Sequence, residues 1–312
     1  MTTVPDLAGR LPGWRRLTSL RWRAPTGAVR GTLVALGDTP ASLALVAFAS
    51  LAAWLVLFAV FFSGFEENHS QHGLYAQFRS ELAGETAPLG GVISQGSPVA
   101  LLTLPAAGLH NEVVVEGTTG TDLAEGPGHV PGTPLPGQAG VSLVFGRALT
   151  FGGPFRGLGG LHVGDVMHVT TGQGVNTFRV LDVRRPGQPV PAAPAAGASR
   201  LTLVTAQGAG WRSGWAPSQI LYVDASLVGK VRPSPAAVAV EMSPSERAMA
   251  ADTSGLDGLV LWLEALLAAV VVSVWLIVRW GASRSWPVAV PLVLATLWAA
   301  SAAALPMLPN LM

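Results

Sequence analysis

Hydrophobic positions follow two different patterns along the chain. Three long stretches, residues 41–63, 256–278 and 287–305, are almost wholly apolar. A helix rises about 1.5 Å per residue, so roughly 20 apolar residues cross a hydrocarbon core about 30 Å thick. Each stretch therefore predicts a transmembrane helix. The third gives the weakest signal, because Pro287 and Pro291 lie near its start.

Between the first and second stretches, apolar and β-branched residues form short runs that Gly, Pro, Asn and Asp separate. Runs of this length and punctuation are typical of strands in a small β-barrel or sandwich. We predict seven strands, at residues 99–104, 112–116, 141–145, 165–170, 176–183, 201–205 and 219–223.

The remaining segments connect these elements. Tyr75, Phe78 and Leu82 have helical spacing and predict a short amphipathic helix. Residues 186–198 are rich in Pro and Ala and predict a semi-rigid connector, and a short helix is expected near residues 244–251. The predicted organisation is a tail (1–40), a first span (41–63), a linker with the amphipathic helix (64–97), a β-domain (98–228), a second linker (229–255), a second span (256–278), a turn (279–286), a third span (287–305) and a second tail (306–312).

Charged residues predict the orientation of these spans. The first tail is rich in arginine, and Arg279 and Arg284 flank the turn between the second and third spans. The positive-inside rule then places the N-terminus and this turn in the cytoplasm and the β-domain outside a multi-pass cell-membrane protein. The pair Arg15-Arg16 raises the alternative of a twin-Arg export signal. The apolar run starts too far downstream and is too long for a cleaved signal.

Composition excludes several kinds of chemistry. Half of the residues are hydrophobic and 12% are charged, which is few charges for an ordinary soluble domain. A net charge of +1 gives no global field that would attract nucleic acid. The chain has no cysteine, which excludes disulfides, thiolate metal sites and thiol catalysis. Four histidines lack metal-ligand spacing, so we predict no metal or small-molecule cofactor and interpret them as loop or surface residues: His110, His129, His162 and His168.

Four motifs follow one another within residues 97–228. Residues 126–137 read Gly-Pro-Gly-His-Val-Pro-Gly-Thr-Pro-Leu-Pro-Gly, residues 151–155 read Phe-Gly-Gly-Pro-Phe, Leu161 precedes Gly164-Asp165, and residues 201–205 read Leu-Thr-Leu-Val-Thr. This series resembles the sortases, the membrane-anchored transpeptidases of Gram-positive surfaces, and most closely their actinobacterial class E. The resemblance implies a mainly β fold, a sortase-like closed β-barrel ectodomain, here with three transmembrane α-helices.

Sortase chemistry needs a Cys nucleophile, a His that shuttles the proton and an Arg that stabilises the oxyanion. The resemblance places these roles at Ala206, Arg147 and Gln219, or at Ser218 beside the last. Alanine has no nucleophilic atom, and an arginine with a pKa above about 12 shuttles no proton near neutral pH. We call Ala206, Arg147 and Gln219 the replaced positions. Thr205 is no substitute nucleophile, because neighbouring strand residues point to opposite faces.

These replacements predict a catalytically inactive sortase-like protein that serves as a binding or scaffold subunit of a cell-surface or membrane complex. Its expected partners are the membrane and another membrane or surface protein, without nucleic acid. Arg147 is a candidate contact for a partner's carboxylate or carbonyl, and the alternative is a solvated or internally paired Arg. Glu264 in the second span is the other candidate, because a carboxyl in a membrane helix needs a partner; alternatively it reaches the outer headgroups.

Two other functions stay open at this point. One is a transpeptidase or peptidase of the sortase type that uses unrecognised chemistry. The other is an accessory subunit of a transport or secretion complex, in which the three spans carry the function. The site beside Ala206 is either open, collapsed or filled by the 186–198 loop.

Overall fold

A computed structural model describes residues 40–208, 219–235 and 243–312 of the chain. Three helices in this part are long and apolar enough to cross a membrane. The first begins as α1 (Pro40–Leu57), passes through a π-helical turn (Phe58–Phe62) and continues as α2 (Ser63–Ala83). A four-residue helix, α3 (Asp122–Glu125), lies within the β-domain, and the other two long helices are α4 (Leu256–Trp280) and α5 (Ala282–Ala304).

The β-domain is a closed barrel with the strand order β1-β2-β3-β4-β7-β8-β6-β5. Neighbouring strands are antiparallel except for the β2–β3 and β4–β7 pairs, which are parallel. The strands are β1 (Pro98–Leu104), β2 (Leu109–Glu116), β3 (Gly128–His129), β4 (Gly140–Phe145), β5 (Val166–Thr171), β6 (Gly174–Arg184), β7 (Ser199–Gln207) and β8 (Gln219–Val228). This architecture confirms the predicted mainly β fold.

The barrel interior is filled by apolar side chains that alternate along the strands. Leu102, Phe178 and Leu203 come from three different strands and belong to one buried cluster. Side chains on a strand alternate between its two faces, so Leu201 and Leu203 point into this core while Val204 and Ala206 belong to a second cluster outside it. All seven predicted strands are present, and the two-residue β3 is the strand that the sequence pattern missed.

The first predicted span and the amphipathic helix form one continuous helix. No proline interrupts residues 41–83, so the hydrogen-bond ladder continues past Phe62 through the π-helical turn. On the polar part of this helix, Gln71 fixes the β-domain: its side chain accepts from Val113 N at 2.8 Å and donates to Val113 O at 3.1 Å and Glu125 O at 2.9 Å. The predicted linker between span and barrel therefore begins only after Ala83.

The other two long helices differ from prediction only at their ends. The third begins five residues before Pro287, and both prolines lie inside it. Each of these prolines contributes no backbone N–H to the helix. In the linker before the second span, the short helix expected near residues 244–251 is limited to a 3-10 turn, Pro244–Glu246.

Candidate functional site

The strand register brings the replaced positions to one end of β4, β7 and β8. Phe145 pairs with Val204, and Arg147 follows Phe145 by two residues, while Ala206 pairs with Ile220. Gln219 lies opposite Gln207 at the open end of the β7–β8 ladder and is exposed. Its neighbour Ser218 lies outside the described residues. The strand register therefore puts the three positions at the same end of these strands.

Thr205 and Ala206 point to opposite faces of β7. The Thr205 hydroxyl donates to Gly146 O at 2.8 Å and is buried. The Ala206 side chain belongs to the outer cluster and is 3% exposed. Thr205 is therefore held by the neighbouring strand, and the outer position carries only a methyl group.

Arg147 is fully buried, at 0% exposure. Its Nη2 donates to Gly120 O at 2.9 Å, and its Nη1 donates to Thr150 Oγ1 at 3.2 Å. The guanidinium also lies over the ring of Phe151, 4.9 Å from its centroid. Within the described part of the chain, no carboxylate forms an ion pair with it. Arg147 is thus internally bonded, and a partner could contact it only if this interior opened.

The guanidinium of Arg147 is buried, which changes its pKa. Burial lowers the pKa of its guanidinium to about 10, although the charge of Asp252 acts in the opposite direction. The group therefore remains a cation at neutral pH. A buried charge without an ion-pair partner is costly, so its neutral acceptors and the aromatic ring must replace much of its lost hydration.

Phe151, from the Phe-Gly-Gly-Pro-Phe motif, joins this site to two of the long apolar helices. Its backbone is left-handed, with φ 50°, which is rare for a residue with a bulky side chain. The strain is held in place because Phe151 N donates to Ser63 Oγ at 2.8 Å and the ring is buried with Phe58 and Leu305. Phe58 itself contacts Trp298 edge to face, with 4.9 Å between ring centroids.

The outer face beside Ala206 is covered by residues that follow the third helix. Leu311 is completely buried in the cluster that contains Val204 and Ala206. Ala148 N donates to Leu311 O at 3.1 Å, and Thr150 Oγ1 donates to Met312 O at 2.6 Å. Leu311, rather than the 186–198 loop, is the side chain packed in the Ala206 cluster. Sequence reasoning missed this segment, since five residues of mixed character after a span carry no pattern.

A cavity of about 370 Å³ adjoins the same point. Thr205, Ala206 and Gln207 line it from β7, and Ala148 and Arg156 line it from the loop after β4. The site is therefore partly filled and partly open. Among the described residues, no cluster of three or more His, Asp or Glu side chains has the geometry to hold a metal ion.

The interpretation of His129 as a loop or surface residue is wrong. His129 lies on β3 at 1% exposure, and its Nδ1 is 2.7 Å from Glu116 Oε2. Its Nε2 lies 3.0 Å from Thr133 Oγ1 and 3.2 Å from Pro134 O. The parallel pairing of β2 and β3 sets this contact, and two residues of strand were too few to detect in the sequence. The other three predicted surface histidines are exposed: His110, His162 and His168.

Glu264 is exposed on the second long helix, α4. It forms no hydrogen bond or ion pair with any residue that the structure describes. The structure therefore leaves its carboxylate on the helix surface.

Comparison with known proteins identifies the β-domain. Residues 102–221 match the family model described as the sortase domain. The chain carries a sortase-family domain. Sortase E from Streptomyces avermitilis is 30% identical over 44% of this chain and 91% of its own, with a TM-score of 0.37. Among curated proteins, none matches this chain.

Two further solved structures are similar to this sortase domain at lower identity. A sortase D5 transpeptidase from Clostridium perfringens is 22% identical over 52% of this chain and 99% of its own, with a TM-score of 0.43. A sortase from Actinomyces oris is 22% identical over 45% of this chain and 85% of its own, with a TM-score of 0.40.

Proposed function

We propose that this protein is a catalytically inactive member of the sortase family that binds another membrane or surface protein as a scaffold subunit. One observation carries the proposal: Ala206, the last residue but one of β7, stands where the resemblance to sortases places the nucleophile, in a chain without any cysteine. The second replaced position supports it, because the buried Arg147 is bonded to Gly120 and Thr150 and shuttles no proton.

The proposal includes an orientation and a membrane contact. Arginines before the first span and in the turn at 279–286 favour a cytoplasmic N-terminus and an extracellular barrel. Glu264 supports a protein partner, because an exposed carboxylate on a spanning helix is costly unless a cation or donor reaches it. The three spans contain no Arg or Lys, so a cationic partner for Glu264 inside the membrane comes from another chain.

Purification from native membranes in mild detergent, followed by mass spectrometry, tests this function. We expect a stoichiometric membrane or surface protein to copurify and Glu264→Gln to reduce its recovery. Asp257→Asn is the matched control, since Asp257 is an exposed carboxylate in the first turn of the same helix. Recovery of a clean monomer, or equal recovery with both variants, contradicts the scaffold role that we assign to Glu264. An accessory role in a transport complex predicts the same copurification but transport defects in cells that lack the protein.

Enzymatic activity is the second candidate, and one arrangement favours it. Thr133 Oγ1 lies 3.0 Å from His129 Nε2, and His129 Nδ1 lies 2.7 Å from Glu116 Oε2, which is the order in which a hydroxyl nucleophile, a base and a carboxylate stand. Two contacts oppose it. The Thr133 hydroxyl already donates to Val130 O at 2.8 Å, and Nε2 also faces the acceptor Pro134 O. In this arrangement His129 Nε2 carries a hydrogen and donates it to Thr133 Oγ1 and Pro134 O. A nitrogen that already carries its proton cannot act as the base that takes one from Thr133.

A peptide-cleavage and transpeptidation assay separates the two functions. The inactive protein yields no product from any peptide, with or without an amine acceptor. Product that disappears in Thr133→Val assigns the activity to this hydroxyl and overturns the proposal of an inactive protein. Product that persists in Thr133→Val and in Arg147→Ala places the chemistry elsewhere and overturns it equally.

A further inference from the structure

Residues 308–312, called segment 308–312 below, lie on the outer face of β7 beside Ala206. Leu311 is at 0% exposure and lies in one cluster with Phe145, Val204 and Ala206. These three side chains come from the paired strands β4 and β7, so their apolar surface exists whether or not the segment is present. The segment thus covers a preformed apolar patch that adjoins the nucleophile position of the family.

Backbone groups hold the segment in a way that does not depend on most of its side chains. Ala148 N donates to Leu311 O at 3.1 Å, and Asn310 N donates to Ala250 O at 3.0 Å. The Thr150 hydroxyl, which accepts from Arg147, donates to Met312 O at 2.6 Å. Any peptide of the same conformation offers these backbone groups. Arg147 therefore orders the hydroxyl that receives the segment.

Two side chains of the segment supply selectivity. Leu311 fills the apolar patch, and Asn310 Nδ2 donates to Ser245 O at 2.6 Å and Arg247 O at 2.9 Å. A carboxamide donor followed by a branched apolar residue is the chemistry that this face recognises. An acidic side chain at the Asn310 position would face two carbonyl oxygens and be rejected.

The fit of the segment is incomplete. Asn310 Oδ1 is buried without a hydrogen-bond partner among the described residues, and an unsatisfied buried acceptor weakens docking. The cavity of about 370 Å³ begins at Ala148 and Ala206, so the site continues beyond the segment. A longer peptide can make the same contacts and also fill this space.

We infer that segment 308–312 is the resident, exchangeable ligand of this face. A partner peptide with a carboxamide side chain followed by a branched apolar one displaces the segment. The inference rests on the proposed binding role and names the chemistry of the ligand for that site.

A single introduced thiol tests the inference in the full chain, because the natural sequence has no cysteine. In detergent, the thiol of Ala206→Cys should react slowly with a small maleimide, since Leu311 covers that position. Adding Leu311→Ala should raise the labelling rate roughly tenfold or more, which corresponds to about 1.4 kcal/mol of docking free energy. Leu181→Cys, at an exposed site on β6, is the control whose labelling rate should not change with Leu311→Ala.

Exchange is tested with a synthetic peptide that has the sequence of residues 306–312. Added to the variant with both Ala206→Cys and Leu311→Ala, it should restore slow labelling, and the same peptide with Asp in place of its leucine that corresponds to Leu311 should not. Equal labelling with and without Leu311→Ala shows that the segment does not cover Ala206 and overturns the inference. If Leu311→Ala speeds the labelling but the peptide does not slow it again, the segment is a fixed cover that a peptide does not replace, and the proposed exchange is wrong. These outcomes involve no partner, so they are independent of the copurification result.

Discussion

The two faces of β7 differ in what covers them. Leu201 and Leu203 on the inner face pack against side chains from the other strands of the closed barrel. Val204 and Ala206 on the outer face pack against Leu311 and Ala248, which come from segments outside the barrel. Ala206 is not a member of the inner cluster, so the residue at position 206 does not contribute to the packing inside the barrel. The packing that stabilises the barrel and the packing that covers the site therefore involve different side chains of β7.

The largest effect is expected on the inner face. Leu203→Ala leaves a void among closely packed strands and should reduce the free energy of unfolding by about 3 kcal/mol. Thermal unfolding in detergent measures the loss. Leu181→Ala, at an exposed position of β6, should change stability little. Equal losses from both variants contradict the assignment of the stabilising core to the inner face.

The barrel could be predicted because most of its strands carry their own sequence signal, whereas the site depends on single contacts. Short apolar runs predicted seven of the eight strands in the part of the chain that the structure describes. The family resemblance selected Ala206, Arg147 and Gln219, and the strand register puts them at one end of β4, β7 and β8. No pattern gave Leu311, because its contact with Ala206 depends on how the chain turns after α5. The burial of His129 was missed for the same reason, since its partner Glu116 lies on a strand that local sequence does not connect to it.

A smaller effect is expected at the junction of the two faces. Arg147→Ala removes the donors to Gly120 O and Thr150 Oγ1 and leaves space, so unfolding should become easier by about 2 kcal/mol. Arg147→Met keeps most of the volume and removes the buried charge, and it should cost less. Thermal unfolding of both variants gives the comparison. A loss with Met as large as that with Ala means that the charge and the hydrogen bonds, which both variants remove, stabilise this position and the packing does not.

Gly120→Ala should disturb the outer face alone. An added Cβ would collide with Pro306 O and come within 3.0 Å of Asp252 Cβ, so the chain that leads to segment 308–312 must shift. We expect a loss of about 1.5 kcal/mol, within the range for overpacking. Hydrogen exchange should accelerate at the amides of Ala148 and Thr150 and stay slow along β7. Gly160→Ala, with open space at its Cβ, is the control. Acceleration along β7 as well would show that the two faces open together.

The smallest expected effect is a pH dependence of the free energy of unfolding, which comes from Asp122 in α3, outside the barrel strands. Burial raises the pKa of Asp122, the hydrogen bonds from Thr119 lower it, and the charges of Glu246 and Asp252 raise it, with a net increase from the ordinary value. Between the ordinary and the raised pKa, the folded state binds more protons than the unfolded state, so stability falls as pH rises through this window.

Thermal unfolding measured at about pH 5 and about pH 8 tests this dependence. Acidic groups with raised pKa values stabilise the folded state more at the lower pH. Asp122→Asn removes the ionisable group and should reduce the difference between the two conditions. Asp257→Asn, at an exposed position, should leave it unchanged. The loss caused by Leu203→Ala should be the same at both pH values, since the inner face of β7 contributes only apolar packing there. A Leu203→Ala loss that changes with pH would mean that the ionisable groups outside the barrel and its interior respond as one unit, and the separation of the two faces would not hold.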